Sequence, residues 1–145
     1  QDVVLTASTR TFIRRGDASA LVWRVQVQSL SRAARDRNLL LDRRNGVRGY
    51  SSRSFDGKRR VVVNVEGRQV VWSNSYVLAQ AAVFADHGYA WWDTFDFGAA
   101  KRTVGGGVRL GLQRLAAQAV RVDIAYLVDG DPPQWKWSFG TGQYF

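Results

Sequence analysis

The side chains of this chain that could do chemistry together are an arginine in a long connecting segment and two carboxylates on the segments that follow. Arg48 sits in Asn45-Gly-Val-Arg-Gly-Tyr50, Glu66 ends Asn64-Val-Glu66, and Asp86 centres Phe84-Ala-Asp-His-Gly88. A guanidinium presents a planar fork that matches a carboxylate, so Arg48 could latch a loop onto a wall that carries Asp86 and Glu66. Gly49 permits close backbone approach or a positive φ, and Gly88, on the face of Asp86, leaves room beside that wall. Eight basic residues lie between Arg32 and Lys58, Arg48 among them, so composition alone reads it as a solvated loop residue. The other reactive residue types do not assemble. There is no Cys and a single His, so neither a thiolate site nor a histidine metal cluster can form. His87 points away from Asp86 on an alternating segment, and no Ser or Cys stands in a fixed relation to it as a nucleophile. Gly105-Gly106-Gly107 lacks the spacing and the Lys of a phosphate loop and reads as a kink that helps a sheet curve. Arg121 and Asp123 share a face and read as a salt-bridge network on a wall. No catalytic residue, metal or cofactor is expected.

The elements that must position these groups are strands. Seven segments alternate between apolar and polar residues, and helical periodicity is nearly absent. They cover residues 3–13, 21–30, 61–71, 77–91, 104–112, 120–128 and 135–145. One face is aliphatic and aromatic, with Trp23, Val63, Val83, Val122, Ile124 and Trp137 among its members. The other collects Arg10, Arg24, Arg68, Arg109, Arg121, Glu66, Asp86 and Asp123. A soluble sandwich would bury the apolar face against a second sheet; a membrane barrel would turn it to lipid. Aromatics near the strand ends (Trp72, Tyr76, Trp91, Trp92, Tyr126, Trp135) match interfacial girdles.

The last segment is the most telling. Trp135, Trp137, Phe139 and Phe145 share one parity, and Lys136, Ser138, Gly140 and Gly142 share the other. Large apolar groups on one side and small or polar groups on the other suit a wall between lipid and water. Thr141 and Gln143 depart from the pattern on the apolar face, and Tyr144 is off parity.

Composition bounds the rest. The 145 residues are one domain's worth of chain, with no stretch apolar enough for a transmembrane helix; no charged n-region with an apolar h-region opens it, so a signal peptide is either absent or already removed. Lys and Arg number 21 against 12 acids. Such a balance is common in nucleic-acid binders, but here the arginines recur singly on polar faces instead of forming a run, and no nucleic-acid partner is expected. The absence of Met suggests a processed product or a fragment. Connections alternate in length: short at 14–19, 73–75 and 114–119, long at 31–60 and 92–103, intermediate at 129–134. Outer-membrane barrels have this asymmetry, with short periplasmic turns and longer outside loops. Seven strands fall below the eight of the smallest usual closed barrel. The chain therefore reads as an incomplete barrel spanning 1–145, its remaining strands lying upstream or in another chain.

The motifs around Arg48, Glu66 and Asp86, in that order and followed by the terminal strand, resemble the bacterial surface-antigen superfamily. Its members include the outer-membrane assembly factors BamA and TamA and the two-partner secretion transporters. The resemblance runs from about residue 46 to 145. It implies an antiparallel transmembrane β-barrel segment of about seven meander strands with a long inward-folded loop, located in the bacterial outer membrane. It implies that the loop's Arg48, with Gly49 and Tyr50, locks onto Asp86 and Glu66 inside the lumen, beside Gly88. Trp137, Phe139 and Phe145 would form the C-terminal barrel signal. The implied activity is insertion or translocation of polypeptides, without enzymatic chemistry. The implied partners are outer-membrane lipid, lipopolysaccharide and other barrel strands or subunits. The competing expectation is a structural barrel subunit that anchors a larger complex without transport.

Overall fold

The computed structural model describes residues 3–31, 38–41, 46–51, 55–94, 100–112, 119–130 and 132–141. The architecture is all-β and antiparallel. Seven strands, β1 (Val4–Arg15), β2 (Ser19–Leu30), β5 (Arg59–Ser73), β6 (Val77–Trp91), β7 (Lys101–Leu112), β8 (Ala119–Leu127) and β9 (Gln134–Thr141), form one sheet. Its order, β1-β2-β5-β6-β7-β8-β9, is a meander interrupted by one insertion. The insertion corrects the expectation of seven strands. Two short strands, β3 (Leu39–Leu41) and β4 (Phe55–Gly57), pair with each other inside the long connection. Three-residue strands are too short to show a period, so alternation could not reveal them.

Strand ends run further than the alternating pattern does, because hairpin pairing continues past the last apolar residue. Pairing of Arg15 with Ser19 leaves only residues 16–18 in the first turn, where Gly16 takes φ 64°. At the second turn Asn74 Oδ1 accepts from the backbone N–H groups of Tyr76 (2.9 Å) and Val77 (2.8 Å), an Asx turn that fixes the reversal. Between Val70 and Trp72 the register with β6 slips, and Val71 is the extra residue of a bulge.

The registers align three rows across one face of the sheet. Arg24, Asn64, Asp86 and Thr103 stand opposite one another in turn, as do Val22, Glu66, Phe84 and Gly105. Ala82, Gly107, Asp123 and Ser138 form the third row. The hairpin of β3 and β4 and residues 46–50 cover this inner face. There a small core gathers Leu41, Val47, Tyr50, Val62 and Leu127. The opposite face is bare. Val83 is 68% exposed, Trp137 64% and Phe139 74%, with Leu21, Val65, Val104, Val108, Leu110 and Val120 also exposed. Trp23, Val63, Val122 and Ile124 are half-buried by their neighbours on the same sheet. No second sheet or helix covers this face among the described residues.

The sheet is open. Among the described residues β1 and β9 are its two edges and do not pair with each other, so no closed barrel is formed. Thr11 is the one residue of β1 that is not exposed.

Candidate functional site

The strongest concentration of buried charge lies where the loop meets the inner face. Residues 46–50 enter it through two backbone positions suited to glycine, Gly46 at φ 130° and Gly49 at φ 88°. A Cβ at Gly49 would also stand 2.7 Å from Leu127 Cδ1, so close approach and backbone conformation both demand glycine there. Val47, fully buried, packs with Leu41 above Gly88, and a Cβ at Gly88 would collide with both side chains. Between these apolar contacts the Arg48 side chain, 1% exposed, is driven against the wall.

Arg48 engages Asp86 as a fork. Its Nε donates to Oδ2 at 2.7 Å and its Nη2 to Oδ1 at 2.8 Å, while its backbone N–H donates to Oδ2 at 3.1 Å. Its Nη1 donates to Glu66 Oε2. Bidentate, charge-assisted bonds of this kind are the strong ones in proteins. The guanidinium also lies 3.4 Å from the centroid of the Phe84 ring, a cation–π contact beneath the fork. Burial disfavours the charge on Arg48, but Asp86 and Glu66 outweigh it and raise its pKa further above the ordinary arginine value.

Each carboxylate has further donors. Asn64 Nδ2 donates to Asp86 Oδ1 (2.8 Å) and to the carbonyl of Gly46 (2.6 Å), so one amide ties wall and loop together. Arg24 Nε donates to Asn64 Oδ1 at 3.2 Å and orients that amide. Glu66 accepts from Arg68 Nε at 2.7 Å and from Arg109 Nη2 at 3.3 Å. Arg109 Nη1 continues to Asp123 Oδ1 at 2.5 Å, and Arg121 Nε lies 3.6 Å from Asp123 Oδ2. Charges therefore alternate in sign along Asp86, Arg48, Glu66, Arg109 and Asp123, each stabilising the next in a low-dielectric setting.

Sequence reasoning brought together Arg48, Glu66, Asp86, Gly49 and Gly88, and the geometry joins all five. Tyr50 is close by but outside the ion pairs. Its ring meets Phe55 edge-on at 5.4 Å, and its buried hydroxyl has no hydrogen-bond partner among the described residues. Burial, with Asp129 adding to it, pushes the Tyr50 phenol up to about 12. Trp137 and Phe139 lie on the bare face, remote from the charges, and Phe145 lies outside the described residues, as does Asn45. Two participants were missed. Phe84 was read only as part of a motif, although a large aromatic on a polar face was the available signal. Arg109 was placed on that face without a role, and the glycine two residues before it was the clue. A Cβ at Gly107 would stand 2.8 Å from Arg109 Nη1 and would collide with Asp123 Oδ1.

This arrangement clamps the loop to the wall. Among the described residues no group of three His, Cys, Asp or Glu side chains is placed to hold a metal ion. No protein-family model matches the chain, and no curated protein matches it by sequence.

Proposed function

We propose that this chain is part of a bacterial outer-membrane β-barrel of the surface-antigen type, BamA/TamA-like, that inserts or translocates polypeptides at that membrane. The observation that carries the reading is the buried Arg48 fork on Asp86 and Glu66, on the inner side of a sheet whose outer side is bare and apolar. A water-soluble protein rarely leaves a contiguous apolar face of this kind uncovered. In a barrel, lipid covers it, and charged residues belong on the lumen side. The loop is then a brace inside the lumen, tied to two neighbouring strands that must keep their register while others open or exchange. An incoming polypeptide would add to a free strand edge through its main chain. The edge of β9 is of the type that such addition requires.

The test uses the full-length protein folded into liposomes that also receive an unfolded outer-membrane barrel. Faster folding of that client with the wild-type protein, and loss of the acceleration in Arg48→Ala at equal insertion, supports the reading. A protein that inserts and holds its own partners but leaves client folding unchanged is a structural anchor, and the insertase proposal fails. A protein that stays in solution and does not float with the liposomes removes the membrane reading itself.

A further inference from the structure

The bare face is not uniformly convex. Near the 16–18 turn it carries a groove of about 420 Å³, lined by Ile13, Leu21, Gly67, Ala81 and Val83, with Arg15 at its rim. The registers explain its shape. Ile13 stands opposite Leu21, Leu21 opposite Gly67, and Gly67 opposite Val83. Gly67 and Ala81 thus form a floor between taller aliphatic walls. A Cβ at Gly67 would meet only Val83 Cγ2, at an ordinary 3.6 Å, so the floor has room for more.

Two pairs closer to the turn, on the same face, the row changes character to Arg15, Ser19 and Gln69. Ser19 Oγ donates to Gln69 Oε1 at 2.5 Å, which holds these two polar side chains together at the groove's end. Arg15 is exposed beside them and forms no ion pair among the described residues. Trp72 and Tyr76, exposed at the neighbouring 74–76 turn, mark the same end of the sheet with the aromatics typical of a membrane–water interface. An apolar trough that ends on a cation has the polarity of a lipid: hydrocarbon, then phosphate.

We infer that this groove is a glycerophospholipid site, with an acyl chain along Leu21, Gly67 and Val83 and the phosphate held by Arg15. The inference rests on the membrane reading proposed above and adds a specific ligand to one place on its lipid-facing surface. The guanidinium fork suits a phosphate. The Gly67 and Ala81 floor is what lets a chain lie flush with the wall.

The experiment uses full-length protein extracted from membranes in mild detergent, supplied with palmitoyl-oleoyl phosphatidylglycerol and examined by native mass spectrometry. The wild-type protein retains one lipid per chain. Arg15→Ser lowers retention roughly two- to fivefold, the range of an exposed ion pair, and Arg15→Lys recovers most of it. Gly67→Leu fills the floor and displaces the same lipid. Heat-modifiable gel mobility reports whether each variant is folded, and Ala81→Leu serves as a second filling variant if Gly67→Leu is not. Equal retention by wild type, Arg15→Ser and a folded filling variant overturns the site. Wild-type protein that inserts into bilayers yet retains no phosphatidylglycerol also overturns it, and leaves the membrane reading standing. Failure to insert at all overturns both.

Discussion

At the scale of single residues, Arg48 is the decisive side chain because it is buried and charged at once. A buried ion pair adds little net stability over an apolar replacement, yet losing one partner strands the other. Arg48→Ala and Asp86→Ala should each destabilise the folded protein by about 3–5 kcal/mol. The double substitution should be little worse than either alone, since the two groups share one interaction. Urea titration in liposomes gives the energies, and protease cleavage between Leu39 and Lys58 reports release of the loop. Simple additivity would sink the latch. Tyr50 offers a second test. Its phenol is raised to about 12 while the unfolded phenol ionises near 10, so between those values the unfolded chain has lost the proton and the folded chain keeps it. Stability contributed by the neutral phenol is intact below pH 10 and declines as pH rises from 10 toward 12. Tyr50→Phe should abolish that alkaline decline. It should also leave neutral-pH stability unchanged or higher, because the hydroxyl it removes is buried without a partner. An alkaline decline identical in Tyr50→Phe and wild type would assign the effect to other groups.

At the scale of elements, β9 shows how one strand separates two environments. Trp135, Trp137 and Phe139 point to the bare face, while Ser138, 7% exposed, stands opposite Asp123 on the inner one. Phe139→Arg should cost about 2–4 kcal/mol of folding free energy in a bilayer if that position lies near the midplane, and less toward the interface. Ser138→Ala should change little. Liposome folding titrations compare the two. A Phe139→Arg protein as stable as wild type in lipid, or more soluble and equally folded without it, would argue against lipid contact at that face. On β6, Gly88 does for the loop what a side chain could not. Any larger residue there displaces Leu41 and Val47, so Gly88→Val should release the loop even though Arg48 and Asp86 are intact. Its protease pattern should match that of Arg48→Ala. A loop that stays protected in a folded Gly88→Val protein would mean that the apolar seat is dispensable.

At the scale of the whole molecule, the free edges of β1 and β9 dominate. An exposed strand edge is a template for pairing with other chains, and proteins rarely leave a long one uncovered. On the proposed reading of an incomplete barrel, the backbone amides of β1 in the membrane-inserted protein should be as protected from hydrogen exchange as those of β2. In the 145-residue chain by itself, β1 should exchange far faster than β2. Fast exchange at β1 in the inserted protein would mean that the edge stays open, a different molecule from the closed barrel envisaged here.

What the sequence determined by itself follows from period. A two-residue repeat with one apolar face specifies strands and which way each side chain points, so the faces of Glu66, Asp86, Phe139 and Trp137 are legible in the sequence alone. Register is fixed by pairing between strands far apart in the chain, and no local pattern encodes it. Only the tertiary structure therefore decided that Asn64 stands opposite Asp86, that Phe84 lies under the Arg48 guanidinium, and that Arg109 links Glu66 to Asp123. The loop shows the same division. Its glycines announced unusual backbone in the sequence, but β3 and β4 are too short for a repeat and owe their place to packing on β5 and β6. The groove at Gly67 had no signature in the sequence either, since a small residue becomes a floor only when its cross-strand neighbours, Leu21 and Val83, rise on both sides.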